Sequence, residues 1–276
     1  MQPRPANSLS FDTSPVLGTP LARIDYDGAV ALTQKWAVDG DRPYAVAAAN
    51  THVVTLARHD PVFRGSLDQF DLLLPDGMPL VWCMNRRNRA IPPLKDRVYG
   101  PTFMLRCLES SGENFSHFLL GGSEELLQDL QAKLRARFPK LKIAGAYSPP
   151  FGEWPETENE QIIEAIKASK AHYIWVGLGC PKQEHWIARH KEQLPPGIYG
   201  AVGAAFAFHA GRVRQAPLWV QARGLEWAFR LATEPRRLFK RYVTFNTLFL
   251  FYLAMEALRD KRAPGNSRPS EPGQGK

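Results

Sequence analysis

Short apolar, β-rich runs alternate along this chain with stretches in which apolar residues recur every three or four positions. Residues 44–49 (YAVAAA) read as a buried strand ending at Asn50, and the stretch after it puts Val53, Val54 and Ala57 on one helical face. Residues 71–74 (DLLL) form a short strand into Pro75-Asp76-Gly77, and residues 118–120 (FLL) one into Gly121-Gly122. Ser123 then has the character of an N-cap, with Glu124 and Glu125 in the first turn and Leu126, Leu127, Leu130 and Leu134 at helical spacing. Residues 142–146 predict a strand, Thr157-Glu158-Asn159-Glu160 a capping box, and Ile162, Ile163 and Ile166 the buried face of its helix. Residues 173–177 (YIWVG) lead as a strand into Leu178-Gly179-Cys180, with Pro181 as the first helical residue, and residues 198–202 form the next strand. This rhythm predicts an α/β fold: a doubly wound, Rossmann-like, mainly parallel sheet over residues 20–209.

Residues 210–262 depart from that rhythm. They carry dense arginine, Trp219 and Trp227, and then an aromatic apolar run of 17 residues, 242–258, between Arg241 and Arg259. A spanning helix needs roughly 20 predominantly apolar residues. This run is shorter and contains Thr244, Asn246, Thr247 and Glu256. Basic flanks beside an aromatic face suit a helix lying in a membrane interface, with packing on the core or on another subunit as the structural alternative.

Charge sharpens this division. The net charge is +8, and 210–262 holds 11 Lys and Arg against 4 Asp and Glu, a surplus of +7. An excess confined to one end points to a polyanionic partner for that end, whether membrane lipid, a diphosphate or nucleic acid, against the plainer reading of a solvated basic helix. Nucleic acid fits poorly, because the aromatics form an apolar run and are not interleaved with basic residues. Three cysteines without CxxC spacing argue against a disulfide framework or zinc ribbon and suit a reducing compartment. Residues 1–19 lack the apolar core of a secretory signal and read as a disordered tail, as do the Pro-, Gly- and Ser-rich residues 263–276.

In a doubly wound sheet, ligands bind beyond the carboxyl ends of the strands. Asn50-Thr51, Pro75-Asp76-Gly77, Gly121-Gly122 and residues 179–184 (GCPKQE) each follow a strand and could line one crevice. Glycines allow close backbone approach, and helix N-termini offer N–H groups to phosphate. Asp76 is the candidate acid/base residue, its alternative being a β-turn aspartate. HExxH, GxSxG, GxxxxGK[ST] and GxGxxG patterns are absent. Asp25-Tyr26-Asp27 spells DxD, a metal-holding spacing, but lies before the first clear strand and is read as incidental.

The strings PDGMPLVW (75–82), RVYG (97–100), LLGG (119–122), VGLGCPKQEHWI (176–187), GAVGAAFAFHAG (200–211) and APLWVQARGLEWAFRLATEPRRLFKRY (216–242) resemble, in order and spacing, the WecG/TagA/CpsF glycosyltransferases. The resemblance covers about residues 20–245. It implies an inverting hexosyltransferase with no bound metal and no cofactor, typically moving N-acetylmannosamine from UDP to an undecaprenyl-diphosphate-linked saccharide in cell-surface polysaccharide synthesis. It also implies a cytoplasmic protein peripheral on the inner face of the cytoplasmic membrane, with room for a homo-oligomer. Matched position by position, Asp76 is the general base. Asn50 and Thr51 are the strand-end pair beside it, and Gln183 is the PKQE glutamine near the donor; the strand-end reading of the residues themselves adds Lys182, Gly121 and Gly122 as donor-binding candidates. Arg223, Arg230, Arg236 and Arg237 fall in the appendage that approaches the membrane and the acceptor diphosphate. One position departs from the pattern: Ala207 stands where family members commonly carry Asp after the Phe at 206. That departure keeps open a second reading, a catalytically silent nucleotide-sugar-binding scaffold.

Overall fold

Side-chain alternation along the strands decides where the helices pack. The computed structural model describes residues 11–88 and 91–262. Among these, β3 (Pro43–Ala49), β4 (Leu72–Pro75), β5 (Ser116–Leu120), β6 (Lys142–Tyr147), β7 (Tyr173–Val176) and β8 (Gly197–Ala201) form one parallel sheet in the order β4-β3-β8-β7-β5-β6. Because successive side chains point to opposite faces, Ala45, Ala47, Ala49, Phe118, Leu120, Ile174, Val176, Tyr199 and Ala201 feed one core. Val46, Leu72, Leu74, Leu119, Tyr173, Trp175 and Ile198 feed the other.

The first core is covered by α2 (Thr51–His59), α3 (Pro61–Leu67), α7 (Glu156–Ser169) and α8 (Lys182–His190). The second is covered by α1 (Tyr26–Asp39), α5 (Gly100–Ser111), α6 (Glu124–Arg137) and α9 (Ala205–His209). Crossovers toward the β4 edge lie on one face and those toward the β6 edge on the other, as a constant crossover hand requires. The adjacent strands β3 and β8 therefore send α2 and α9 to opposite faces, and the gap between these departures is the ligand crevice of a doubly wound sheet.

The predicted strands and helices lie within a residue or two of those observed, with three corrections. Residues 1–19 are not all tail. β1 (Thr13–Val16) and β2 (Thr19–Ala22) pair as an antiparallel hairpin whose Val16, Leu17 and Leu21 are buried in the core. Helix α7 starts at Glu156 after Pro155 with no side-chain cap, so Thr157 is helical and caps nothing. Pro181 precedes α8 instead of opening it. Ser123 does cap α6, accepting from Leu126 N at 3.3 Å. The expected tails at 1–10 and 263–276 lie outside the described residues.

The basic segment forms α10 (Leu218–Ala222), α11 (Glu226–Thr233) and a 28-residue α12 (Pro235–Arg262). Helix α12 lies across α2: Thr51 Oγ1 donates to Asn246 Oδ1 at 3.5 Å, His59 Nδ1 meets Tyr252 OH at 3.0 Å, and the His52 and Phe245 rings cross edge-on. Its far end pairs Glu256 with Arg87 of α4 (Met78–Arg87). Phe249 is 5% exposed inside the first core, whereas Phe239, Val243, Leu250, Phe251, Met255 and Leu258 remain exposed on the other side. No helix among the described residues is long and apolar enough to cross a membrane. Phe249→Ala should cost roughly 3–5 kcal/mol in denaturant unfolding, the usual range for a truncated core phenylalanine. A cost under about 1 kcal/mol would show that α12 is not anchored there.

Candidate active site

The carboxyl ends of β3, β4, β7 and β8 open into one cavity of about 480 Å³, closed on its outer side by α11 and α12. Asp76 enters it from the turn after β4. Its N–H donates to Ala49 O at 2.9 Å, which continues the β3–β4 ladder by one rung and fixes the turn. Its Oδ1 accepts from Gly100 N at 2.8 Å. That approach needs a glycine, because a Cβ at position 100 would sit 2.8 Å from the Ala48 Cβ.

Asp76 is half-buried as a residue, but its carboxyl is withdrawn from water. Burial pushes its pKa up to about 7, Arg97 opposes the rise, Glu226 adds to it, and the Gly100 hydrogen bond and Arg230 oppose it. Three guanidinium-bearing residues line the same space: Arg97, Arg230 and Arg241. Arg97 is 7% exposed and pairs with Glu226, also 7% exposed. Arg230 lies 5.3 Å from the Phe208 ring centroid and 3.7 Å from Glu234. His52 is held down to about 4 by burial and by Arg241, and so stays neutral near pH 7.

Of the residues expected at the site, Asp76, Asn50, Thr51, Gln183 and Arg230 line this cavity. Asn50 Oδ1 is occupied in capping α2, accepting from Val53 N at 3.2 Å. Gln183 Oε1 accepts from Gly179 N (3.2 Å) and Gly203 N (3.1 Å), so it ties the loops after β7 and β8 together. Its Nε2 donates to the buried Glu184 at 2.9 Å. Gly121, Gly122, Lys182, Arg223 and Arg236 stand apart from the cavity lining. Gly121, at φ +113°, packs where a Cβ would come within 2.8 Å of Gly177 C, and Gly122 follows it in the same turn. Lys182 lies 3.4 Å over the Trp154 ring and donates to Gly152 O. Arg223 is exposed and donates to Trp219 O at 3.2 Å; Arg236 is exposed on α12. The Arg237 side chain lies outside the described residues. Asp25 caps α1 through Gly28 N at 2.9 Å, and Asp27 pairs with Arg106 at 2.8 Å, so the DxD is committed locally. Sequence reasoning did not single out Arg97, Glu226 or His52, and it named Glu184 only within the GCPKQE stretch and Arg241 only as a flank of the apolar run. The RVYG and GLEW strings hold the first two, but nothing in either string says that they meet.

A strand-end cavity in a doubly wound sheet, holding one withdrawn carboxyl beside three arginines, has the parts of a transferase for a phosphorylated substrate. The chain belongs to the glycosyl transferase WecG/TagA/CpsF family, whose model matches residues 14–263. It is therefore a glycosyltransferase. It is 27% identical over 219 residues, 79% of this chain and 82% of the relative, to an N-acetylglucosaminyldiphosphoundecaprenol N-acetyl-beta-D-mannosaminyltransferase of Staphylococcus aureus (strain NCTC 8325 / PS 47). The same values hold for the enzyme of that name in strain COL.

The raised Asp76 pKa has a stability consequence of definite sign. The carboxyl ionises near 3.8 when unfolded and near 7 when folded. Between these values the folded chain holds the extra proton, so stability falls as pH rises through the window and levels off above it. Asp76→Asn cannot ionise. Its melting temperature at pH 8 should equal or exceed that of the native chain, with the advantage shrinking toward pH 4. A variant clearly less stable at pH 8 would contradict the withdrawn carboxyl.

Proposed function

We propose that this chain transfers a hexose derivative, N-acetylmannosamine, from UDP to a saccharide carried on undecaprenyl diphosphate, with inversion and without a metal. The supporting observation is Asp76 at the carboxyl end of β4, in the cavity that the β3–β8 gap opens, poised near neutrality among arginines. The names of the relatives supply the sugar and the lipid-linked acceptor. A single displacement needs one base, and a base titrating near the working pH combines availability with proton affinity. Asp76 takes the proton of the acceptor hydroxyl while that hydroxyl's oxygen bonds to the anomeric carbon. The bond from that carbon to the diphosphate breaks, and the electron pair leaves with UDP. Arg230 and Arg241 supply positive charge to that leaving group from α11 and α12.

The working place is the inner face of the cytoplasmic membrane, in polysaccharide assembly. The exposed apolar stripe of α12, with Trp219 and Trp227 also exposed and Arg236 and Lys240 at its start, suits an interfacial helix that brings the cavity to lipid-borne acceptor. Ala207 lines the cavity and supports the second reading, a scaffold that binds nucleotide sugar without turnover.

A panel of UDP-hexoses tested against undecaprenyl-diphosphate-linked N-acetylglucosamine, read by mass spectrometry, separates these readings. If the chain is the transferase, the acceptor gains one N-acetylhexosamine mass from UDP-N-acetylmannosamine, and Asp76→Asn loses on the order of 10²–10⁴ in rate while still binding UDP. Binding without product from any donor supports the scaffold; more than half the native rate in Asp76→Asn removes the base. Turnover should survive EDTA, and loss on chelation with recovery in Mg²⁺ or Mn²⁺ would return the metal question to Asp25 and Asp27. On vesicles containing anionic lipid, raised salt should release much of the bound protein, because each Lys or Arg near the surface contributes about 1 kcal/mol that salt screens. Retention through alkaline carbonate would mean an integral segment.

A further inference from the structure

Arg97 and Glu226 lie 129 positions apart and meet as a buried ion pair beside Asp76. Arg97 comes from the loop before α5; Glu226 opens α11. Arg97 Nη1 donates to the Asp76 carbonyl oxygen at 3.3 Å, and Nη2 donates to Gln221 Oε1 at 3.1 Å as well as to Glu226. The guanidinium lies 4.3 Å from the Tyr99 ring centroid. The next residue, Gly100, holds the Asp76 carboxyl itself. Residues 97–100 therefore grip Asp76 by both backbone and side chain, and α10 and α11 grip Arg97 in turn.

A guanidinium withdrawn from water beside a catalytic carboxyl has two effects. It stabilises the carboxylate, and for the same reason it weakens that carboxylate as a proton acceptor. A second carboxylate on the guanidinium cancels much of its field. We infer that Glu226 is a positioning residue for the transfer reaction, holding and neutralising Arg97 so that Asp76 works beside a balanced charge. The inference rests on Asp76 being the base. It makes docking of α11 and tuning of the base one event, because the balancing carboxylate travels with the appendage. The groups facing Asp76 are Arg97 and Tyr99 from the loop, and Glu226 and Arg230 from α11. His52 of α2, Glu184 of α8 and Arg241 of α12 line the remainder of the cavity. Glu226 is the carboxylate that pairs with Arg97.

The test is the pH dependence of kcat for the full chain, for Glu226→Gln and Glu226→Asp, and for Asp76→Asn as control. Glu226→Gln leaves Arg97 unbalanced, so the acid limb should move down by roughly one pH unit, with a several-fold lower plateau from the weaker base. Glu226→Asp keeps the charge and should return the limb to within a few tenths of native. A purely structural glutamate would change the plateau and leave the limb in place; that result in folded Glu226→Gln overturns the inference while Asp76 stands as the base. An Asp76→Asn that still transfers overturns the base assignment, and the inference with it. Should Glu226→Gln fail to fold, the double variant Arg97→Gln/Glu226→Gln removes both buried charges. Its acid limb should lie at or above the native pH, and a limb below it overturns the inference.

Discussion

The buried pair of Arg97 and Glu226 joins the two parts of this molecule and sets the electrostatics of its cavity. Breaking such a pair by removing one partner typically costs about 3–5 kcal/mol, because the survivor is left charged and withdrawn from water. A pair of that kind is a poor way to gain net stability, since apolar residues of similar volume often do as well. Its value here is positional. It fastens α10 and α11 to the loop that holds Asp76, and it does so without leaving a net charge beside the carboxyl.

The rest of the architecture serves the same place. The pleat sorts apolar residues onto two faces, and the change of crossover direction leaves a gap between β3 and β8. Rigid strand ends deliver Asn50, Asp76 and the loops that Gln183 ties together. Helices α11 and α12 then close the gap with arginines. Their outward side carries exposed apolar residues, so one pair of helices offers cations to the cavity and an apolar stripe to the exterior.

Much of this could be read from the chain. Apolar runs and period-3.6 patterns located the six strands of the large sheet and the helices α2, α6, α7 and α8, because burial on a pleat or helix face is a local property of the sequence. Asp76 was legible for the same reason, as a carboxylate directly after an apolar strand. Long-range pairing was not legible. Arg97 sits in the connection before α5, which carries no periodic pattern, and Glu226 sits in a segment that reads as generically basic; only folding brings them together. Gly121, Gly122 and Lys182 have the residue types of a phosphate loop, but their requirements are met locally, by the close approach to Gly177 and by Trp154. Strands β1 and β2, of four residues each and both containing proline, carry too little pattern to be told from a tail.

The account depends on the Asp76 carboxyl being withdrawn from water and balanced among charges, so that it accepts a proton near neutrality. Carbon-13 NMR of aspartate-labelled protein, with the Asp76 resonance assigned by its loss in Asp76→Asn, measures that ionisation without reference to turnover. A midpoint of about 7 is the predicted result. A midpoint near the ordinary aspartate value of about 3.9 would contradict the account at its centre.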